Sequence, residues 1–588
     1  MISLKLADIF TNLAEIKKID PSKKETVLSL IRGARTLRDD LGKIEKIIKG
    51  ETPDTLDGID EYCYGLVTEY LERGSIREYE QFSNNYSEDL IRLIRVTGLG
   101  KRRLFSIYDA FDIKDMEGLL EVFKDRKVRE ILGKSDLEKD ILNSLFTERI
   151  QRSVEYFTGL TGRDPRWAAQ FYADIMIGSL KKIREIKRIE YTGAVRRKKS
   201  LINDIDILVV PSFNDLEYNP DMSLQLLEKI ARQPFIKKLK SVKSTKNDIS
   251  ACYSTVYEVD IEIIIVSKKT QAWYLFKTTG SKKHITQMEV FARENKGVEL
   301  DNLSRKDMKS EEAIYRILDL QYIPPELREG RDEIMLSSRD KLPDLIEMSD
   351  IKGDLHIHSD WSDGLIKYSD IVETAKKLDY EYIAISDHSP SNYYGNGLDA
   401  GKLLKKMGFV WEQKKKNNGI QIFMGAEIDI KKPDLFDYSP GIIKKLDIAI
   451  GSLHSSFINS SEENTASVVS ALKKDFFDFI AHPTGEIFGD RAPIFIDMDR
   501  VIAATAENKK ALEINSYYMR LDLDEDNARK AAMAGAKLAI NSDSHRPGNM
   551  EMVRLGVDVA RRAGLESKDI LNTMTASQLR EWRENRLR

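Results

Sequence analysis

Histidine is concentrated near one end of this 588-residue chain. Imidazole nitrogen is the commonest metal ligand among side chains, and the imidazole ring titrates near neutral pH. Only His284 lies in the first 350 residues, and two of the other histidines form a His-x-His pair in GDLHIHSDWSDG. The crowding predicts a polynuclear metal site built from the remaining six: His356, His358, His388, His454, His482 and His545.

The ligands of that site must be nitrogen and oxygen atoms. Cys63 and Cys252 are the only cysteines, which is too few for a thiolate zinc site or a disulfide framework. Asp363, Glu427 and Asp543 add carboxylates to the six imidazoles, enough for two or three divalent ions. Closely spaced metal ions generate a hydroxide nucleophile and hold the attacking and leaving oxygens of a phosphodiester. The donor set therefore predicts metal-dependent hydrolysis.

A regular alternation of elements is expected to position these ligands. Strand alternating with helix is typical of a parallel sheet covered by helices, and about seven such units fit a closed barrel. The carboxyl ends of barrel strands share one mouth, so residues distant in sequence converge there. Seven apolar runs fit the strands: DLHIH, YIAIS, IQIFMGAEI, LDIAIGS, FDFIAH, ALEIN and KLAIN. The candidate ligands lie at or near the ends of six of them, all but ALEIN.

A second group of carboxylates lies earlier in the chain. DIDILVV places Asp204 and Asp206 two residues apart in a strand, so both side chains project from one face. YEVDIEIIIV supplies Asp260 from another strand. Three such carboxylates can hold two magnesium ions that align an attacking hydroxyl with a nucleotide α-phosphate. Two solvent-facing aspartates on a structural strand would show the same pattern.

Composition and pattern bound the rest of the chain. Its length predicts about three to five domains. The spacing of apolar residues predicts helices to about Leu180 and an α/β region from about Glu190 to Val266. No segment approaches the roughly 20 uncharged apolar residues of a membrane span, which predicts a soluble, cytoplasmic protein without membrane partners. The protein is expected to be a monomer. The net charge of −3 does not indicate nucleic-acid binding, but basic clusters do: Lys101 to Arg103, Lys181 to Arg188, Arg196 to Lys199 and Lys237 to Lys246.

The segments DLHIHSDWSDG, SDHS, AHP and SDSH resemble the PHP (polymerase and histidinol phosphatase) family from about Asp350 to the end. The resemblance implies a distorted (β/α)7 barrel with a trinuclear site and phosphoesterase activity. It assigns His356, His358, Glu427 and Asp543 to one metal, and Glu427, His454 and His482 to a second. Asp363, His388 and His545 would hold the third. Zinc, manganese and iron all suit such ligands.

TGAVRRKKSLINDIDILVV resembles a nucleotidyltransferase signature, and TTGSKKH resembles a segment of family X DNA polymerases. Together they resemble the bacterial and archaeal PolX type over nearly the whole chain. The resemblance implies catalysis by Asp204, Asp206 and Asp260 with Mg²⁺ or Mn²⁺. Gly193, Arg197, Thr279, Gly280 and Ser281 would bind the deoxynucleoside triphosphate.

The same resemblance shows departures around the nucleotide. Ala194 replaces a serine, and Lys277 with Thr278 replaces an aromatic pair beneath the sugar. Ile285 replaces an asparagine, and Glu289 stands where an arginine is expected. These changes predict weak sugar discrimination and polymerisation that is slow, manganese-dependent or unfaithful.

The helical region carries one predicted DNA contact. RVTGLGKRR fits a helix-hairpin-helix in which Gly98, Gly100 and Lys101 meet a DNA phosphate. Its earlier counterpart, LDGIDEYCYGL, has Asp60 and Glu61 where glycine and lysine belong. Leu66 occupies the place of the lysine that forms a Schiff base in lyase-active relatives. No lyase activity is expected by that route.

The predicted architecture is multidomain, α+β and α/β, and the leading function is a DNA-repair polymerase that fills gaps and hydrolyses 3′ ends. The hydrolysis would be exonucleolytic, 3′-phosphatase or abasic-site cleavage. One alternative is a phosphoesterase whose degenerate polymerase module only binds DNA, and another is a DNA-end-binding protein with neither activity. The predicted domains are an 8-kDa-like helical domain (1–85), helix-hairpin-helix fingers (86–150), nucleotidyltransferase palm (151–235), palm completion and thumb (236–335), linker (336–350) and PHP barrel (351–588).

Overall fold

The computed structural model describes residues 1–17, 21–56, 58–83, 118, 148–160, 162–214, 217–305, 308–392, 395–416, 419–454 and 460–587. It divides into two compact units. Unit 1 comprises Met1–Tyr191, Leu201–Gln271 and Gly489–Arg491; unit 2 comprises Thr192–Ser200, Ala272–Phe488 and Ala492–Arg588. The predicted hairpin residues Gly98, Gly100 and Lys101 lie outside the described residues. No helix within the described ranges is long and apolar enough to cross a membrane.

Unit 1 begins with amphipathic helices, as the three- and four-residue apolar spacing predicts. In α1 the buried side chains include Leu6, Phe10 and Leu13, and α2 buries Leu30 and Leu37, so the two helices pack through these stripes. The elements here are α1 (Ile2–Lys17), α2 (Lys24–Asp39), α3 (Gly42–Ile48), α4 (Glu61–Arg73), α5 (Arg77–Ser83), α6 (Glu148–Gly159), β1 (Asp164–Pro165) and α7 (Arg166–Leu180).

A five-stranded mixed sheet follows in unit 1. Its strand order is β2-β4-β7-β6-β5, in which β4 and β7 are parallel and the other neighbours antiparallel. The elements are β2 (Ile186–Tyr191), α8 (Gly193–Arg196, in unit 2), β3 (Leu201–Ile202), β4 (Ile205–Pro211), α9 (Pro220–Ala231), β5 (Ile236–Ser244), β6 (Asp248–Thr255) and β7 (Asp260–Val266).

Unit 2 contains a small helical subdomain and a barrel. Trp273, Phe276, Met288, Tyr315 and Leu318 belong to the buried apolar cluster of the subdomain. Its helices are α10 (Gln271–Thr279), α11 (Lys282–Lys296), α12 (Glu311–Ile317) and α13 (Glu333–Ser337). The predicted linker leads from α13 to the barrel, and within it Leu345 and Ile346 are buried.

Seven parallel strands form the barrel, in the order β8-β9-β10-β12-β13-β14-β15, and an isolated bridge between Ile357 and Ser544 joins the two ends. The predicted barrel is thus confirmed as a nearly closed parallel sheet. Its elements are β8 (Gly353–Ile357), α14 (Tyr368–Lys377), β9 (Tyr382–Ile385), α15 (Ala400–Lys416), β10 (Gln421–Lys432), β11 (Leu435–Phe436), α16 (Pro440–Ile443), β12 (Ile448–Ser452), α17 (Ser461–Leu472), β13 (Phe479–Ile480), α18 (Met498–Glu507), β14 (Ala511–Asn515), α19 (Glu525–Met533), β15 (Lys537–Asn541), α20 (Val553–Ala563) and α21 (Ala576–Leu587).

Candidate functional site

The barrel mouth collects the predicted metal ligands. His356 lies in β8 and Glu427 in β10, and the other histidines follow a barrel strand within three residues or, for His545, four residues. Asp363 comes from the loop after β8, where Gly364 is needed because a Cβ atom would meet the carbonyl oxygen of His358 at 2.6 Å. All nine side chains are buried or partly buried, although they are separated by up to 189 positions along the chain. Parallel topology alone brings them to one end of the sheet.

Glu427 lies at the centre of the group and is completely buried. Its Oε2 atom lies 2.7 Å from His388 Nδ1, and its Oε1 atom lies 3.0 Å from His482 Nε2 and 3.3 Å from His454 Nε2. Burial favours the neutral carboxyl, but His454, His388 and His356 together lower the pKa of Glu427 well below its ordinary value. A charged carboxylate between imidazoles on both oxygens is suited to bridge two cations.

The donor atoms form three groups that can each hold a metal ion: His358, Asp363, His388 and His545; His356, His358 and Asp543; and His388, Glu427 and His454. His482 joins through its contact with Glu427.

Unsatisfied atoms show that the donors fit metal ions. His356 Nε2 and His358 Nε2 face each other at 3.0 Å. Both oxygens of Glu427, Oδ1 of Asp363 and Oδ1 of Asp543 are buried, and the imidazole nitrogens close to them in the described structure are not aligned as hydrogen-bond donors. Buried polar atoms are rarely left unpaired, so these atoms are best explained as metal-binding positions.

The histidines differ in their electrostatic environment. Burial opposes charge on His356, yet Glu513, Asp543 and Glu427 raise its pKa well above the ordinary value. Against the same effect of burial, Glu427 and Asp429 raise the pKa of His454 to about 10. Burial and the neighbouring His545 and His388 instead lower the pKa of His358 to about 3.

Carboxylates behind the ligands orient them, and the sequence predictions did not include these residues. His356 donates from Nδ1 to Glu513 Oε1 at 2.8 Å, and His482 donates its backbone N–H to Glu513 Oε2. Asp429 lies 3.2 Å from His454 Nδ1. Such partners fix the ring orientation of a metal-binding histidine. Glu513 was detectable, because it lies near the end of the run ALEIN, where ligand candidates also occur.

Two of the predicted ligands have strained backbones, and one arginine lies beside them. His482 has φ of 25° and Asp543 has φ of 51°, which side chains with a Cβ atom rarely adopt. Arg520 Nε lies 3.8 Å from Asp543 Oδ2, and its buried Nη1 has no hydrogen-bond partner among the described residues. The guanidinium group of Arg520 therefore lies beside the predicted metal ligands.

The predicted catalytic carboxylates of unit 1 lie on one face of the mixed sheet. Asp206 on β4 is in register with Glu262 on β7, two residues after Asp260. Burial and the charges of Glu262 and Asp260 raise the pKa of Asp204, a repulsion that a divalent cation would relieve. Glu262 is a fourth carboxylate that the sequence predictions missed, although Asp260-x-Glu262 has the same spacing as Asp204-x-Asp206.

The predicted nucleotide-binding residues lie in unit 2. Gly193 has φ of 58° and begins α8. Arg197 donates to Glu329 Oε1 at 2.9 Å and to the carbonyl of Thr279 at 2.7 Å. Ser281 caps α11 by accepting from the backbone N–H of His284, and a Cβ atom at Gly280 would meet Ile285 at 2.7 Å. These residues have clear local structural roles, and their binding of a nucleotide stays a prediction.

The departures from the family pattern are also local contacts. Lys277 pairs with Asp301 at 2.8 Å, and Thr278 donates to the carbonyl of Tyr274. In the first hairpin Asp60 caps α4 by accepting from the N–H of Cys63, and Leu66 is buried in that helix. An acidic cap does not suit phosphate binding, and an apolar side chain cannot form a Schiff base. Both contacts agree with the expected lack of lyase activity, which stays a prediction.

Two family models match the chain. The PHP domain model matches residues 354–522, and the DNA polymerase beta thumb model matches residues 274–329. The DNA polymerase/3′-5′ exonuclease PolX of Bacillus subtilis (strain 168) is 30% identical over 530 residues, which are 88% of each chain. The chain belongs to the PolX family. This membership confirms the predicted combination of a DNA polymerase and a hydrolytic PHP domain in one enzyme.

Other relatives match a smaller part of the chain. A protein of Thermoanaerobacter sp. (strain X514) named probable phosphatase is 31% identical over 219 residues, 35% of this PolX chain and 84% of its own length. An uncharacterized protein of Methanocaldococcus jannaschii is 27% identical over 225 residues, 38% of this chain and 94% of its own. These relatives are thus covered over most of their own length by little more than a third of the chain. Divalent metal ions are the cofactors that its donor set implies.

Proposed function

We propose that the chain repairs DNA by filling short gaps with deoxynucleoside triphosphates and by hydrolysing 3′ ends at the barrel mouth. The observation that supports the hydrolytic part is the set of nine buried or partly buried donors that includes Glu427 at its centre. Several of their atoms lack hydrogen-bond partners among the described residues. Ions bound there would supply Lewis-acid activation of water and of a phosphoryl oxygen. Zn²⁺, Mn²⁺ and Fe²⁺ suit the nitrogen and oxygen ligands, and two or three ions are expected per chain.

The residues of the barrel do the remaining work. Glu513 and Asp429 hold the rings of His356 and His454 with their Nε2 atoms directed into the site. The buried Nη1 of Arg520 has no hydrogen-bond partner in the part of the chain that the structure describes, and it is suited to donate to a non-bridging oxygen of the scissile phosphate. Asp543 holds the guanidinium group of Arg520 in place beside the charged histidines. Burial would raise the pKa of Asp543, but the charges of the histidines around it outweigh burial and hold that pKa well below its ordinary value.

Polymerisation would depend on Asp204, Asp206 and Asp260, with Mg²⁺ or Mn²⁺. The mutual repulsion that raises the pKa of Asp204 supports this proposal, because it is the electrostatic condition in which a divalent cation binds well. Lys240 pairs with Asp260 in the described structure. The side chain of Lys240 must yield that carboxylate when a metal ion is bound.

Two paired variants test the assignment of the two activities. Replacing His356 and His358 with alanine should abolish hydrolysis of a DNA 3′ end and leave primer extension on gapped DNA unchanged, because these side chains serve only the barrel. Replacing Asp204 and Asp206 with alanine should have the opposite effect. Surviving hydrolysis in the first variant, or surviving extension in the second, would contradict the corresponding site.

A further inference from the structure

Strand β5 at the edge of the mixed sheet is exposed and basic. Every residue from Lys237 to Ser244 is exposed, and four of these eight residues are lysines. Among the described residues, Lys238 and Lys243 have no ion-pair partner, whereas Lys240 pairs with Asp260. Unpaired edge lysines often serve only to prevent association with another strand. Which face of the sheet they occupy distinguishes that role from a binding role.

The strand register places Lys238 and Lys243 on the carboxylate face. Lys238 pairs with Ser254, which pairs in turn with Asp260. Lys243 pairs with Ser250 on β6. Ser250 lies two residues before Cys252, so both project from the same face, and Cys252 pairs with Glu262. Residues opposite each other in a sheet project from the same face, and irregularities in β5 preserve this relation for both lysines. Leu239 and Val242 pair with the buried residues Tyr253 and Ala251 and belong to the other face.

The distance across the sheet indicates what Lys238 and Lys243 could bind. Neighbouring strands are about 4.8 Å apart, so Lys238 lies about 10 Å from Asp260, and a lysine side chain covers much of that distance. A carboxylate cluster repels DNA, and nearby cations must offset that repulsion for a 3′ hydroxyl to approach. Apart from the phosphates of the incoming nucleotide, the phosphates nearest to a reacting 3′ hydroxyl belong to the strand that carries it.

We propose that Lys238 and Lys243 form a binding surface for the phosphodiester backbone of the primer strand, immediately behind its 3′ end. This proposal rests on the proposed polymerase function of the same sheet. Ammonium groups on flexible stems contact phosphates without reading bases, so the surface should bind all primer sequences alike. Lys240, through Asp260, joins this surface to the catalytic carboxylates.

The test is the salt dependence of binding to gapped DNA by the full chain. The double variant Lys238→Gln, Lys243→Gln should weaken binding about tenfold. The slope of log K against log salt should fall by about 1.8, or about 0.9 for each phosphate that the variant no longer neutralises. Fluorescence anisotropy in the cold, without added divalent ions, measures both quantities. Lys268→Gln, an exposed lysine beyond the far end of β7, is the matched control and should leave the slope unchanged.

Uncharged methylphosphonate linkages identify the strand. Placed one at a time behind the primer 3′ end, they should weaken binding by the wild-type chain and have little further effect on the double variant. An unchanged slope in the double variant overturns the proposal and leaves edge protection as the role of the lysines. If uncharged linkages in the template strand weaken wild-type binding as much, and likewise have little further effect on the double variant, the assignment to the primer is overturned. Primer extension by the wild-type chain is measured in parallel, and its absence would contradict the proposed polymerase function instead.

Discussion

At the scale of single residues, the barrel mouth is a set of imidazoles whose protonation the surrounding carboxylates control. Glu513 contributes most to raising the pKa of His356 against the effect of burial, and Glu427 does so for His454. Metal ions bind neutral imidazole, so each of these rings must lose a proton before it becomes a ligand. Proton release and metal binding are therefore linked at these two positions.

Metal loading is expected to release more than one proton per chain near neutral pH. The pKa of His454 is about 10 and that of His356 lies well above its ordinary value, so both rings are charged at pH 7 before metal binds. Because a raised pKa favours the protonated form, apparent metal affinity should increase as pH rises from 6 towards 9. Calorimetric zinc titrations in buffers of different ionisation enthalpy count the protons.

Glu513→Gln provides the control for that count. Removing this carboxylate should lower the pKa of His356, and zinc binding should then release fewer protons than in the wild-type chain. The amide of glutamine also has one acceptor oxygen where the carboxylate has two, for His356 Nδ1 and the His482 N–H, which should weaken metal binding by about 10- to 100-fold. Glu507→Gln, on the exposed side of α18, should change neither quantity. Equal proton release by all three proteins would contradict the assigned protonation states.

At the scale of elements, helix α15 supports the site through one buried ion pair. Lys406 is completely buried and its Nζ lies 2.7 Å from Asp387 Oδ2, with a further hydrogen bond to the carbonyl of Ile385. Asp387 also accepts hydrogen bonds from Ser359 and Ser362, in the loop that leads to Asp363. A helix on the outside of the barrel thus holds the loop that carries a ligand.

Lys406→Met should destabilise the barrel by about 3–5 kcal/mol, because it leaves the buried Asp387 without its cation. It should also reduce the metal content of the purified protein, since the loop to Asp363 loses its support. Thermal denaturation and elemental analysis measure the two effects. The neighbouring exposed Lys405→Met should cost less than about 0.5 kcal/mol and retain full metal content. Comparable behaviour of the two variants would show that the ion pair does not stabilise this loop.

At the scale of the molecule, unit 2 joins the thumb helices to the barrel through ion pairs. Arg562 on α20 is almost completely buried and contacts Glu525 at 2.7 Å, Glu329 at 3.0 Å and the carbonyl of Arg197 at 2.6 Å. Arg529 on α19 donates to both oxygens of Asp332 at 2.8 Å. Arg197 belongs to the predicted nucleotide-binding residues, so the barrel helps to hold that segment.

Arg562→Met should separate the unfolding of the thumb from that of the barrel. The wild-type unit is expected to show one calorimetric transition for both parts, because the buried pairs couple them. The variant leaves the partly buried Glu329 and Glu525 without this cation. The expected cost is about 3 kcal/mol, and the variant should show an earlier additional transition. Lys376→Gln, an exposed position on α14, should leave the thermogram unchanged. A single unshifted transition in Arg562→Met would show that other contacts join the two parts.

Sequence by itself determined which residues could be ligands and how they could meet. The strand and helix periods predicted a parallel barrel, and parallel strands bring their carboxyl ends to one mouth, so the residues at those ends could be named without coordinates. Asp204 and Asp206 were predictable for a similar reason, because residues two apart in a strand share a face. Patterns of this kind are local and periodic, so they survive without knowledge of tertiary contacts.

Tertiary structure alone decided the partners that lie far apart in sequence. The pairing of His356 with Glu513 spans 157 positions and that of Arg562 with Glu329 spans 233, and no local period relates such residues. The face occupied by Lys238 and Lys243 was also undecidable from sequence, because register irregularities in β5 interrupt simple alternation. Lys406 is buried and Lys405 is exposed, and only the packing of the barrel determines which of these two neighbouring lysines is excluded from solvent.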